Sequence, residues 1–239
     1  MPFTYPYPRP AVTCDTVVFA MRADDLAVLL IQRRDDPFKG QWALPGGFVD
    51  ENEPLQRAAV RELDEEAGLS GLRLEQLGAF GDPGRDPRGH TVTVAWMTFL
   101  LSEAATSAGD DAAAVGWHPF RSLELASRTK AAAAKATRAR AATRKSARVK
   151  LAFDHAQIIA AAYRRLCQHL DDPLRTRAFD LLPSRFTLAE LRHLYELVLG
   201  RALPPRTFNR RFVEHGIVVP ASAKPTKKAA AQLYRWNRR

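Results

Sequence analysis

The stretch GGFVDENEPLQRAAVRELDEEAGL, Gly46 to Leu69, limits the possible folds more than any other part of the chain. Pro54 suits a first helical turn and Gly68 a helix stop, so the second half reads as a helix. Yet Glu62, Glu65 and Glu66 stand at i, i+3 and i+4 on one face. Like charges at these spacings destabilise a helix, and toward its C-terminus the macrodipole disfavours anions. Leu55, Ala59, Val60, Leu63 and Ala67 form an apolar sector displaced from the glutamates by roughly 100° on a wheel of 3.6 residues per turn. Such a helix can bury one side on a sheet and present carboxylates along its edge. A divalent cation turns their repulsion into attraction, and Mg²⁺ takes oxygen ligands from a few carboxylates and substrate phosphates. Arg61 is placed to orient a carboxylate or meet a phosphate. Gly46 and Gly47 allow close backbone approach, which can bring a main-chain carbonyl to the metal. On the three glutamates alone, an exposed acidic helix paired with surface Lys or Arg fits equally well.

Around this helix the pattern is strand-like. VTCDTVVFAM (12–21) and LAVLLIQRR (26–34) predict a hairpin, followed by a turn at WALPGG (42–47). LRLEQLGAFG (72–81), HTVTVAWMTFLL (90–101) and AAVGWHPF (113–120) are further strand candidates, and DPGRDPRG is a loop. Strands around one long helix without regular βαβ alternation point to an α+β fold. Cys14 and Cys167 are too few and too far apart for a disulfide framework or zinc site. The first residues lack an apolar signal core and no run suits a bilayer, so a cytoplasmic protein with no membrane segment is expected.

The net charge of +10 is unevenly spread: residues 1–129 carry −7 and residues 130–239 carry +17. Two modules with different partners are expected, the basic one a candidate for nucleic acid. Residues 127–150 are Ala, Thr and Ser studded with Lys and Arg, an insert or linker with little to bury. LAFDHAQIIAAAYRRL (151–166) reads as a helix with Asp154 and Gln157 as a capping box and His155 as a surface or capping residue.

Further on, Thr187 and Glu190 form T-x-x-E, with Phe186 and Leu191 at staple positions. Gly200 closes this helix, and PPRTFNRRFVEHG (204–216) supplies a second. In it Phe208 and Phe212 share a face opposite Arg206 and Arg210, with Asn209 to one side. IVVP and AQLYRW then read as a β-hairpin around the basic ASAKPTKKAA. This is the order of a winged helix-turn-helix. Arg and Asn read guanine and adenine edges, and Lys224, Lys227 and Lys228 are candidates for phosphates or a minor groove. A helical accessory domain used for dimerisation is the alternative.

The spacing from Gly46 resolves the first ambiguity. Five residues separate Gly47 from Glu53 and seven more lead to Arg61-Glu62-Leu63. Glu65-Glu66 and Gly68-Leu69 follow, each after a single residue. Every fixed position resembles the signature box of the Nudix hydrolase family. The resemblance implies a Nudix fold, a mixed sheet between helices, and Mg²⁺- or Mn²⁺-dependent hydrolysis of a nucleoside diphosphate linked to another moiety. It implies Glu62, Glu65 and Glu66 as metal ligands with the Gly46 carbonyl as an addition. Arg61 would orient a catalytic carboxylate, and Glu53 would anchor the loop or the metal shell. Arg85 and Arg88 are candidate phosphate clamps, and Trp42 and Phe48 candidate adenine platforms. RDPRG before a strand is similar to ADP-ribose-type members.

LLP-x-x-FTL-x-EL, LYE-x-x-LG and a terminal LYR-aromatic strand resemble the C-terminal domain of Nudix-related transcriptional regulators of NAD metabolism. That resemblance implies a metabolite sensor joined to a winged helix that binds a double-stranded operator as a homodimer. The organisation expected is a Nudix core over 1–126, the basic insert 127–150, a closing helix over 151–170 and the winged helix over 171–239. Many such regulators carry a degraded box, whereas this one is intact, so hydrolysis and sensing are both expected.

Overall fold

The structure, a computed structural model, describes residues 5–22, 25–101, 112–125, 148–173, 177–221 and 231–237. Strands β1 (Ala11–Arg22) and β2 (Asp25–Arg33) pair antiparallel, as the apolar runs predict. β1 also runs parallel to β6 (Thr91–Leu100) from Ala11↔Thr91 to Ala20↔Leu100, which makes the sheet mixed. β5 (Glu75–Phe80) lies antiparallel on β6, and β7 (Ala112–Pro119) on β2. The WALPGG segment is more than a turn. Trp42–Ala43 forms β3 on β2, and Gly46–Phe48 forms β4 on the first half of β1. The chain thus crosses between two strands of the sheet, with Gly46 opposite Asp15.

Alternation along the strands divides the core between two faces. Cys14, Val18, Leu29, Val94 and Trp96 share a cluster with Ala58, Ala59, Leu63 and Ala67 of α1 (Leu55–Ala67). Val17, Phe19, Val28, Leu30, Met97 and Phe99 share one with Ile158, Ile159, Ala162 and Leu166 of α2 (His155–Asp171). The sheet between helices is therefore present. α1 ends at Gly68, whose φ of 66° lets its amide reach the Asp64 carbonyl at 2.8 Å. Its buried face differs from the wheel in one turn. Ala58 is buried, whereas Leu55 is turned outward and receives the Cys14 thiol on its main-chain carbonyl at 3.3 Å.

In the C-terminal segment the Thr187 box forms at the start of α3 (Leu188–Leu199). The Glu190 amide donates to Thr187 Oγ1 at 3.1 Å and the Thr187 amide to Glu190 Oε2 at 2.7 Å. After α4 (Pro205–Glu214), β8 (Val218–Pro220) pairs antiparallel with β9 (Tyr234–Trp236). Phe186 and Tyr234 exchange main-chain hydrogen bonds at 2.7 and 3.0 Å, tying the returning strand to the entry of α3. The α2-side core runs on without a break into Leu191, Tyr195, Phe208 and Phe212. The Tyr195 hydroxyl donates to the Leu170 carbonyl at 3.0 Å, and the Tyr163 hydroxyl donates to the Val198 carbonyl. Most of the basic segment 127–150, and Lys224, Lys227 and Lys228, lie outside the described residues.

Candidate functional site

The β3–β4 crossing and α1 place the box residues around a cavity of about 450 Å³. The close approach allowed by the two glycines is used. The Gly46 amide donates to Glu66 Oε2 at 2.7 Å, and a Cβ on Gly47 would fall 2.4 Å from Glu62 Oε1. Glu66 is buried on the sheet side of α1, and Glu62 is 13% exposed. Burial pushes the Glu62 carboxyl above its ordinary range, with Arg61 pulling the other way.

Arg61 is the hub of the acidic edge. Its Nε and Nη2 form a fork on Glu53 at 2.9 and 2.8 Å. Nη1 donates to Glu62 at 2.7 Å and to Glu65 at 3.1 Å, and Nη2 to the Phe48 carbonyl at 3.1 Å. The fork from Arg61, with the Asp50 amide, holds Glu53 down to about 2. This one guanidinium offsets the repulsion that makes the acidic face unfavourable in isolation. Glu62 and Glu66 line the cavity, whereas Glu65 lies at the exposed edge of α1. Among the described residues no three His, Cys, Asp or Glu side chains converge as a metal cage, since Arg61 occupies the space between Glu62 and Glu65.

The cavity is also lined by Arg85, Asp86 and Arg88 of the 81–90 loop and by Phe153 and His155 at the start of α2. Arg85 and Arg88 both line the cavity, Arg85 in a buried ion pair and Arg88 with its side chain 44% exposed. Arg85 is 4% exposed and grips Asp154 through Nε at 2.9 Å and Nη2 at 2.7 Å, with Asp15 at 3.6 Å. Arg88 grips Asp86, its Nη2 2.7 Å from Oδ2. Asp154 precedes α2 yet makes no side-chain cap, because a two-pronged ion pair outweighs a neutral capping bond. His155 is buried rather than superficial. Its Nδ1 accepts the Leu44 amide at 2.8 Å, so Nε2 carries the proton and faces Asp15 at 3.5 Å. Burial lowers its pKa and favours the neutral ring.

Phe48 is exposed in the wall with the Arg88 guanidinium 5.2 Å from its ring centre. Trp42 is not in the wall. It packs on His118 at 4.2 Å, where aromatic contact stabilises the β2–β7 side. Sequence reading missed Arg33, Asp15, Asp154, His155 and Phe153. Asp15 did carry a signal, being an acid inside an otherwise apolar strand.

On α4, Phe208 and Phe212 are buried, while Arg206 and Arg210 are exposed on the other side. Asn209 is half-buried, and among the described residues its Oδ1 has no hydrogen-bond partner. A short helix with a buried aromatic face and an outward basic face suits groove insertion.

Residues 12–140 match the NUDIX domain family, and residues 178–236 match the NrtR DNA-binding winged helix domain. The chain belongs to the Nudix family. It is also built like the Nudix proteins that carry an NrtR-type winged helix. It is 34% identical over 235 residues, 96% of this chain and 83% of the relative, to the ADPR responsive transcriptional repressor NtrR of Acinetobacter baylyi. Over 153 residues, 64% of this chain and 73% of the relative, it is 35% identical to the ADP-ribose pyrophosphatase of Methanocaldococcus jannaschii. The structure of Shewanella oneidensis NrtR complexed with a 27mer DNA superposes with a TM-score of 0.66 at 31% identity, covering 95% of this Nudix chain and 93% of that one. The NUDIX domain of the same protein complexed with ADP ribose gives 0.53 at 32% identity, covering 67% and 90%. No helix among the described residues is long and apolar enough to cross a membrane.

Proposed function

We propose that this Nudix protein is an ADP-ribose-responsive transcriptional regulator of NAD-related genes, with a pocket that both binds and hydrolyses its ligand. The observation that carries the reading is one continuous arrangement. The cavity holds Glu62, Glu66 and the glycine loop, and Leu44 in its wall belongs to the same core cluster as Phe208 and Phe212 of the winged helix, whose α4 faces outward with Arg206 and Arg210. Similarity to an ADP-ribose-responsive repressor along 96% of the chain supports it. A double-stranded operator bound by a homodimer and a cytoplasmic setting belong to the same reading.

The donors that would hold Mg²⁺ or Mn²⁺ are Glu62, Glu66, Glu65 and the Gly46 carbonyl. The fit is chemical: all are hard oxygens, and the room a Gly47 side chain would fill is taken by a Glu62 oxygen. When bound, the metal neutralises pyrophosphate charge and lowers the pKa of an attacking water. The protein's own residues supply the positioning. Arg61 holds Glu62 and Glu65 in reserve and fixes the loop through the Phe48 carbonyl. His155 holds the crossing at Leu44. Arg85 pins the start of α2 to the pocket wall. Positioning and charge stabilisation are what phosphoryl-transfer chemistry chiefly needs.

The intact Arg61–Glu53 fork favours a second reading, a plain ADP-ribose-type hydrolase with an accessory C-terminal domain. A panel of nucleoside diphosphate derivatives incubated with Mg²⁺, scored for AMP release and for release of bound DNA, separates the two. Turnover without any sequence preference in DNA binding would leave only the hydrolase. Glu62→Gln is expected to lower turnover on the order of 10²-fold or more, the scale of losing one charge-stabilising group. Unchanged turnover would remove the metal assignment.

A further inference from the structure

Among the described residues five arginines line the pocket, and they are not equivalent. Arg61, Arg85 and Arg88 each hold a carboxylate oxygen at 2.7 Å. Arg33 and Arg34, at the end of β2, meet main-chain oxygens instead. Arg33 Nε donates to the Pro37 carbonyl at 2.7 Å and its Nη2 to the Asp35 carbonyl at 3.4 Å, while Arg34 Nη2 donates to the Ala112 carbonyl at 3.2 Å. Among the described residues no ion pair joins either to a carboxylate. Carbonyl hydrogen bonds fix a guanidinium without cancelling its charge, so the wall keeps a positive site where Arg33 stands.

The surroundings of Arg33 hold it in place. Its guanidinium lies 4.9 Å from the centre of the Phe153 ring, and that of Arg88 lies 5.8 Å from the same ring. Phe153 meets Phe38 edge-on at 4.7 Å. Both phenylalanines have left-handed backbones, φ 51° and 67°, a conformation costly for bulky side chains and concentrated where function requires it. Arg33 and Arg88 are close enough that Arg88, second only to burial, lowers the pKa of Arg33, while Glu66, Asp86 and Asp35 raise it.

We propose that Arg33, seconded by Arg34, is the anion anchor of this pocket and that it receives a phosphoryl group of the ligand, in the cavity that Glu62 and Glu66 also line. The inference rests on the reading of a phosphate-bearing ligand and moves the main clamp from Arg85, whose charge is met in a buried pair with Asp154, to Arg33. A guanidinium with free N–H groups beside an aromatic shelf suits phosphoryl oxygens, which it binds as a fork.

The test is calorimetric titration of the full chain, wild type and Arg33→Ala, with inorganic pyrophosphate and separately with ADP-ribose. Loss of Arg33 should weaken pyrophosphate roughly tenfold or more, as for a lost charge-assisted hydrogen bond. Arg34→Ala should weaken it less. Equal pyrophosphate affinity in wild type and Arg33→Ala overturns the inference, even if ADP-ribose binds both. Arg33-dependent pyrophosphate binding with no ADP-ribose binding keeps the anchor and removes the ADP-ribose reading. Failure of wild type to bind either removes both. Should Arg33→Ala not fold, judged by its thermal midpoint, Arg33→Gln decides, because it keeps a donor toward Pro37 and drops the charge. Wild-type affinity for pyrophosphate in that variant overturns the anchor.

Discussion

Arg85 in the pocket wall is 4% exposed and bound to Asp154 through two hydrogen bonds, whereas Arg210 on α4 is 68% exposed and 3.9 Å from its ion-pair partner Glu214. The same side chain is used in opposite ways. At Arg85, folding itself fixes the guanidinium on Asp154, and a side chain already fixed costs little further entropy to order. On α4 the guanidiniums of Arg206 and Arg210 are exposed. Exposed cations of that kind gain affinity by releasing counterions from DNA, which makes binding strongly salt-dependent.

The largest effect expected from breaking this contrast is at Arg85. Arg85→Ala leaves Asp154, and Asp15 beside it, as buried carboxylates without a cation, a loss of about 3–5 kcal/mol for a severed buried pair. Denaturant midpoints measure it, and a loss below about 1 kcal/mol, the worth of a surface ion pair, would mean that folding does not fix Arg85. Next come Arg206→Ala and Arg210→Ala, each expected to cost about 1–3 kcal/mol of DNA affinity if it reads a base. A phosphate contact would instead lower the salt slope by about 1. Neither should alter AMP release, because neither lines the pocket. Thr187→Ala is smaller still, about 1 kcal/mol of stability from the lost cap of α3.

The last effect is one of pH. Glu53 sits at about 2 in the folded chain against an ordinary 4.5, so it contributes stability above about 4.5 that disappears as pH falls through about 2. Acid unfolding of Glu53→Gln should lack that component. An identical acid profile would show that the Arg61 fork does not hold in solution.

The box, the sheet between helices and the winged helix were legible because each depends on local order. Glycine and carboxylate spacing fixes the box, alternation fixes the strands, and Thr187, Glu190 and Gly200 bound α3. What escaped depends on residues distant in the chain. Asp154 reads as a cap until Arg85, 69 residues away, is seen to claim it. His155 reads as superficial until Leu44, 111 residues earlier, is found on its ring. WALPGG looks like a turn because two-residue pairings leave almost no periodicity, yet it carries Gly46 to Asp15. Arg85 and Arg88 were recognised as pocket residues from a loop pattern, but charge counting along the chain cannot show which cations are already paired.

The central claim is that filling the Nudix pocket changes how the winged helix holds DNA. Fluorescence anisotropy of an operator duplex, selected from random sequence and bound to the full chain, tests it as ADP-ribose is added. The account predicts release of the duplex over the concentration range in which calorimetry shows ADP-ribose binding, and no release with Arg33→Ala over that range. Unchanged duplex affinity at an ADP-ribose concentration that saturates the pocket would contradict it.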